Sequence, residues 1–267
     1  MKQFDTELTE VLSMTERNPG FYDMTLHAPR TTAHAAAGQF VNLYVPGHVL
    51  RRPISICYTD SEKETLRLVF QVRGEGTRVL SQCKAGDTLD ILGPLGKGFP
   101  VSEGFKKVLL VGGGIGVPPL LGLAAQYRSK AVACLGFRSE ESAVLVQDFQ
   151  DFGAVVKIAT EDGSLGSSGF VSALLESDAD CIYACGPEAM LRAVCDFADQ
   201  TCIPCYISLE AHMACGIGAC LGCARALIDS NGAEYYGHVC KDGPVFDYQT
   251  VSGFSSMQKG GVKHGGA

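Results

Sequence analysis

Four cysteines near the end of the chain, Cys215, Cys220, Cys223 and Cys240, have the most specific spacing in the sequence. They read C-x4-C-x2-C, with sixteen residues before the fourth. That order brings four thiolates onto two bridged irons, the arrangement of a 2Fe-2S cluster. The loop that carries the first three also holds Gly216, Gly218 and Gly222, which let the backbone curl tightly and turn amide N–H groups toward sulfur. The fourth cysteine needs a return path. Residues 224–229 and 234–239, around the turn signal Asn231-Gly232, predict a hairpin that supplies it. A four-cysteine zinc site is the competing reading, but it usually arrives as two C-x-x-C pairs and this segment has one, Cys220 and Cys223.

Cys202 and Cys205 are also spaced C-x-x-C and could form a redox dithiol. They lead straight into the apolar run 205–209 with no thioredoxin-type helix pattern, so both are expected to be core thiols, as are Cys57, Cys83, Cys134, Cys181 and Cys195. Gly112, Gly113, Gly114 and Gly116 follow an apolar strand and open a helix whose first turn takes Pro118 or Pro119. Such a turn offers amide N–H groups and a positive helix end to a pyrophosphate. It lacks the third glycine of the strict G-x-G-x-x-G pattern, and its alternative is a tight structural turn. Cys185, Gly186 and Pro187 end a later strand at the carboxyl edge, where open α/β sheets place ligands. Position alone leaves Cys185 as a core thiol, an edge residue or a group touching a bound nicotinamide.

The elements that must position these residues fall into three textures. Up to about residue 102 the chain has short β-favouring runs, 40–45, 54–58, 66–72 and 88–92, between Gly, Pro, Asp and Ser clusters, which predicts a barrel or sandwich. From 103 to 209 strands alternate with helices: strands 108–111, 131–136, 155–159, 181–185 and 205–209, with helices up to about 127, near 169–176 and near 187–199. That rhythm predicts a five-stranded parallel sheet covered by helices. Residues 210–250 are too few to build a core of their own, so a metal centre is expected to hold that lobe together. Residues 251–267 are expected to be a tail, frayed at its small polar end from 260 onward.

Composition bounds the function. A net charge of −7 and a pI near 5.4 leave no basic field for nucleic-acid backbone, so nucleic acid is excluded as a partner. The opening MKQFDTELTE carries no apolar signal core, and no stretch approaches the roughly 18 apolar residues of a membrane span. A cytoplasmic chain with no membrane contact is expected, and its twelve cysteines would then stay reduced.

The barrel region adds Arg51–Ile56, with Arg52, Pro53, Ile54 and Ser55, and Val72–Thr77, with Gly76 and Thr77. Arg52 offers a guanidinium fork to a diphosphate, Ser55 a hydroxyl to a flavin ring nitrogen, and Gly76 with Thr77 donors to phosphate. Together with the glycine turn downstream, the set resembles the ferredoxin-reductase superfamily, which joins an FAD-binding β-barrel to an NAD(P)-binding α/β domain. The run Ser208–Cys223 with Val239–Phe246 narrows this. It closely resembles the electron-transfer subunit of B-type dihydroorotate dehydrogenase, over essentially the whole chain to about 250.

The resemblance implies that Arg52, Pro53, Ile54, Ser55, Val69, Phe70, Gln71, Gly76 and Thr77 bind FAD and that Cys215, Cys220, Cys223 and Cys240 hold the cluster. The glycine turn 112–116, with Gly186 and Pro187, would bind NAD(H), Ser55 would tune the flavin and Cys185 would border the nicotinamide. It also implies an FMN-containing dihydroorotate dehydrogenase catalytic subunit as partner, in a heterotetramer of two of each, serving pyrimidine biosynthesis. His212 stands where a longer basic or polar residue is expected. Arg138 and Ser139 suit a 2′-phosphate while Glu140 and Glu141 repel one, and the family favours NADH. Two other readings stay open: an NAD(P)H–ferredoxin reductase or hydrogenase electron-input subunit, and a zinc-stapled binding protein with a degenerate reductase fold.

Overall fold

The computed structural model describes residues 6–255. The first six strands, β1 (Thr6–Asn18), β2 (Phe21–His27), β3 (Phe40–Leu43), β4 (Arg52–Asp60), β5 (Thr65–Gln71) and β6 (Thr88–Leu95), close into a barrel in the order β1-β2-β5-β4-β3-β6. Alternation along each strand decides what fills it. On β3, Val41 and Leu43 point inward to join Met24, Leu26, Ile56, Leu68, Phe70 and Ile91, while Phe40 points outward into a different core. Full burial of each such side chain contributes about 1.5–3 kcal/mol. Two short helices decorate the barrel, α1 (Pro29–Thr32) and α2 (Glu75–Leu80). The barrel begins with β1 and β2, which the run pattern of the sequence left unassigned.

The second body is a sheet of seven strands, ordered β10 (Ser167–Ser168), β9 (Val155–Thr160), β8 (Ala131–Phe137), β7 (Val108–Gly113), β11 (Cys181–Cys185), β12 (Cys205–Ser208) and β15 (Val245–Asp247). Five are the expected parallel ones: β7, β8, β9, β11 and β12. Two were not foreseen. The two-residue β10 extends the β9 edge, and β15 runs antiparallel beside β12. The covering helices are α3 (Leu121–Tyr127), α4 (Val146–Asp151) and α5 (Glu188–Thr201). The helix expected near 169–176 is instead one 3-10 turn, Val171–Leu174, because Gly169 has φ +113 and the segment from Leu175 to Asp180 turns away to meet Lys106 and Lys107.

A hairpin, β13 (Ala224–Ile228) with β14 (Glu234–His238), follows the cysteine loop, and α6 (Val239–Asp242) returns the chain toward the sheet. This lobe shares its core with both larger bodies. Cys223, Leu227, Val239, Cys240 and Phe246 pack with Phe40 and Leu95 of the barrel and with Ile182 and Ile207 of the sheet. Val251 and Phe254 are buried in the same core, and Val251 bridges to Leu227. The expected fraying from 260 onward lies outside the described residues.

A charged strut joins the barrel to the sheet. Arg67 on β5 donates to Asp23 on β2, at 2.7 Å, and to Asp148 on α4. Burial of Cys57 beside this strut keeps its thiol protonated. Asn18 adds bonds to the carbonyls of Glu141 and Ala143.

Candidate functional site

A cleft of about 240 Å³ opens where barrel, sheet and lobe meet. Its barrel wall is Pro53, Ile54 and Ser55 from β4, Val69, Phe70 and Gln71 from β5, and Thr77 from α2. The antiparallel pairing of β4 with β5, with Ile56 opposite Leu68, brings Ser55 close to Val69 although fourteen positions separate them in the chain. Arg52 and Gly76 are not in this wall but lie against each other, the Arg52 guanidinium occupying the space that a side chain on Gly76 would need. The Thr77 hydroxyl is engaged locally: it accepts from the amides of Arg73 and Gly74 and donates to the Gly74 carbonyl, closing the loop 73–77 on itself.

The opposite wall comes from the carboxyl ends of the sheet strands. Ile115 and Pro119 follow β7, Cys185 ends β11, Ser208 ends β12, and Leu209 to Ala211 follow it. Thus Ser55 and Cys185, from different bodies, face one cleft. Burial pushes the Cys185 thiol up to about 12, the negative Glu210 adds to the shift, and the Ser208 hydroxyl opposes it. The group is therefore a neutral thiol at working pH.

Gly112, Gly113, Gly114, Gly116, Gly186 and Pro187 are not in the cleft wall. Gly112 pairs in register with Cys185, and a Cβ on Gly116 would lie 2.6 Å from Cα of Gly186 and collide with the Cys185 carbonyl. The two loops therefore touch backbone to backbone, a contact that only glycine allows. The expected helix opening is looser than the sequence suggests. Residues 114–116 and 118–120 are 3-10 turns, with Pro118 at the start of the second, before α3 begins at Leu121.

The cysteine loop adjoins the cleft. Met213 lines it, two residues before Cys215, and Phe40, which also lines it, packs in one core with Cys223 and Cys240. The four thiols form two pairs. The sulfurs of Cys223 and Cys240 are 3.3 Å apart, near the roughly 3.8 Å of two thiolates at 2.3 Å on one tetrahedral metal. Cys215 and Cys220 are within hydrogen-bonding reach of each other. Among the described residues no three ligating side chains close on a single ion position. Two pairs are what a two-iron cluster asks of four thiolates.

The loop backbone supports the same chemistry. The amide of Ala219 donates to Sγ of Cys215 at 3.3 Å, that of Gly218 to Sγ of Cys240 at 3.2 Å, and that of Cys240 to Sγ of Cys223 at 3.5 Å. Partial burial works against the Cys215 thiolate, but the amides of Ile217, Cys220 and Ala219 and the Cys220 thiol outweigh it and bring the group down to about 6. Gly216 and Gly218, at φ +72 and +78, adopt the left-handed backbone that lets these amides turn inward. The donor set and its amide cradle fit a 2Fe-2S cluster.

The remaining thiols separate as expected with one exception. Cys57, Cys134, Cys181, Cys195 and Cys205 are buried and Cys83 is half-buried, but Cys202 is exposed, because it terminates α5 in a left-handed conformation at φ +56. Cys205 faces Cys195 instead of Cys202. Sequence reasoning missed Arg73 and Glu210, which lie in the cleft wall with charged ends 3.7 Å apart. Each is a single charge in a loop, and only the fold brings the two together.

Comparison with known proteins decides the family. The model described as the iron-sulfur cluster binding domain of dihydroorotate dehydrogenase B matches residues 210–252, and that of the oxidoreductase FAD-binding domain matches residues 7–99. The dihydroorotate dehydrogenase B (NAD(+)) electron transfer subunit of Caldanaerobacter subterraneus is 45% identical over 230 residues, covering 84% of this chain and 90% of its own. The chain belongs to that family of electron transfer subunits. The subunit of Listeria monocytogenes is 41% identical over 89% of this chain and 95% of its own.

Membership in the electron transfer subunit family brings an FAD-binding domain and an iron-sulfur domain, and sets aside the zinc-stapled reading. Among solved structures, an NADH-dependent reduced ferredoxin-NADP oxidoreductase is similar at TM-score 0.79 and 28% identity, over 94% of this chain and 91% of that one. A ferredoxin NADP+ reductase from Neisseria gonorrhoeae, at TM-score 0.59 and 17% identity over 75% of this chain and 91% of its own, shares the fold. Among the described residues no helix is long and apolar enough to cross a membrane.

Proposed function

We propose that this chain carries electrons between NAD(H) and a dihydroorotate-oxidising partner, using FAD in the cleft and a 2Fe-2S cluster in the lobe. The observation that supports this best is continuity. One cleft is walled by Ser55 on the barrel and Cys185 on the sheet, and Met213, which also lines it, lies two residues before Cys215 in the chain. When bound, FAD supplies the conversion between the two-electron hydride of a nicotinamide and the one-electron steps of the cluster.

The residues of the chain hold and orient. Pro53, Ile54, Val69, Phe70 and Gln71 bind the flavin ring, and Ser55 directs its hydroxyl to a ring nitrogen. The Arg52 guanidinium and the backbone amides of Gly76 and Thr77 would hold the diphosphate. The neutral Cys185 thiol offers apolar contact to the nicotinamide without a competing charge. Gly112, Gly113, Gly114, Gly116, Gly186 and Pro187 shape the edge where NAD(H) lies. Cys215 and Cys220 would hold one iron and Cys223 and Cys240 the other, giving the lobe its one-electron centre.

The partner is an FMN-containing dihydroorotate dehydrogenase catalytic subunit, in a heterotetramer of two of each, in the cytoplasm. Leu221 in the ligand loop, 75% exposed, and Tyr236 on the hairpin, 70% exposed, give the lobe an apolar surface suited to that docking. Residues 1–102, 103–209 and 210–250 serve as FAD, NAD and cluster units, followed by residues 251–267. Mixing the loaded chain with its partner, dihydroorotate and NAD tests this. Dihydroorotate-dependent NADH formation that requires both chains supports it.

The likeness to the NADH-dependent reduced ferredoxin-NADP oxidoreductase favours a second reading, with ferredoxin as the electron partner. Ferredoxin reduction by NADH without any dihydroorotate-dependent activity would select it.

A further inference from the structure

Asn42 is 1% exposed, yet among the described residues neither its Nδ2 nor its Oδ1 has a hydrogen-bond partner. Leaving a buried amide group unpaired is costly, and an apolar residue of the same shape would avoid that cost. A partner arriving with a bound group removes it. The fold indicates which group. Val41 and Leu43 fill the barrel, so alternation along β3 puts Asn42 on the outer face with Phe40, toward the core that contains Cys223 and Cys240. There Nδ2 lies against Gly216, in the space a side chain at 216 would take. Gly216 directly follows Cys215.

We propose that Asn42 donates an N–H from Nδ2 to the sulfur edge of the 2Fe-2S cluster beside Cys215 and thereby makes the cluster easier to reduce. The proposal rests on the assignment of the four cysteines as ligands. The loop's own backbone already supplies donors to Cys215, Cys223 and Cys240 through the amides of Ala219, Cys240 and Gly218. Asn42 adds a side-chain donor, and it comes from the flavin barrel: its partner in the β3–β4 register is Pro53, which lines the cleft. Reduction adds one electron to the cluster and moves no proton. A donor to sulfur stabilises the extra negative charge, and hydrogen bonds to sulfur are among the factors that set the potential of such clusters. An amide does this without titrating, so its effect is constant with pH.

The direct test uses the intact loaded protein. Asparagine occurs at Asn18, Asn42 and Asn231 alone, so side-chain 15N-asparagine labels three amides. Asn18 bonds to Glu141 and Ala143, and Asn231 sits in the hairpin turn. Pulsed EPR of the reduced, labelled protein should show a 15N coupling to the cluster, and its absence in a protein with a normal cluster signal overturns the proposal. In an EPR-monitored redox titration, Asn42→Leu should lower the reduced-to-oxidised ratio at fixed potential by up to about tenfold, 59 mV for a one-electron couple, while Asn42→Gln recovers part of the shift. An unchanged potential in Asn42→Leu at full iron content overturns it. If no cluster signal forms in the unsubstituted protein, the ligand assignment falls as well.

Discussion

The sulfur atoms of Cys223 and Cys240 lie 3.3 Å apart although seventeen positions separate them in the chain. The hairpin produces this closeness. Ala224 pairs with His238, and the amide of Val239 donates to the Cys223 carbonyl at 3.1 Å, so each strand ends beside a ligand. Cys240→Ser should therefore cost the protein most of its iron and acid-labile sulfide while FAD remains bound at full stoichiometry, since the flavin wall belongs to β4, β5 and α2. Metal and flavin analysis of the purified variant checks both halves.

Much of this was legible in the sequence. The cysteine spacing, the Asn231-Gly232 turn and the five parallel strands are local patterns, and the structure places them where the patterns say. Three features were not legible. β15 joins the sheet only because the lobe folds back on it, and three residues carry no signal of that. The segment near 169–176 has apolar residues at helical spacing, but Gly169 and the pull of Asp180 on Lys106 and Lys107 leave room for a single turn. Cys202 is exposed because a helix end set its backbone, which spacing to Cys205 could not reveal.

Cys185→Ala should slow flavin reduction by NADH roughly tenfold, about 1.4 kcal/mol of transition-state stabilisation, with FAD still bound. Because burial pushes the Cys185 thiol up to about 12, the group stays protonated, and the pH profile between 6 and 9 should have the same shape in variant and parent. Stopped-flow reduction across that range measures both, and unchanged kinetics would remove Cys185 from the nicotinamide site.

Gly116→Ala places a methyl group against the Cys185 carbonyl and pushes the two strand-end loops apart. KM for NADH should rise by roughly tenfold or more, since displacements near 1 Å in a binding site have large kinetic effects, while the visible spectra of flavin and cluster stay unchanged. Steady-state reduction of an artificial acceptor provides the KM.

Arg67→Ala removes the strut between Asp23 and Asp148. Asp23 is 4% exposed but keeps a bond from Arg17 at 2.8 Å, so the loss should be about 2–3 kcal/mol, at or below the usual range for breaking a buried pair. Thermal unfolding should show Tm lower by roughly 5–10 °C, with Arg67→Lys intermediate.

Glu176 sits between Lys107 and Lys157, and bonds from Lys107 first and then Lys157 hold its carboxyl at about 2, below the ordinary 4.5. A carboxyl depressed on folding contributes stability above pH 4.5 and loses it as pH falls from 4.5 toward 2. Glu176→Gln should thus be less stable than the parent at neutral pH, and the gap in Tm should close as pH drops below 4. The side chain is about a third exposed, so added salt should narrow the gap as well.

If one chain joins a nicotinamide edge, a flavin cleft and a two-iron cluster into a single electron path, NADH alone must reduce both centres. An anaerobic titration of the purified protein with NADH, followed by visible spectroscopy and low-temperature EPR, tests it directly. The flavin should bleach and a reduced-cluster EPR signal should grow with it. A flavin that bleaches with no cluster signal, even after dithionite, would mean that the four cysteines hold no two-iron cluster and that the path ends at the flavin.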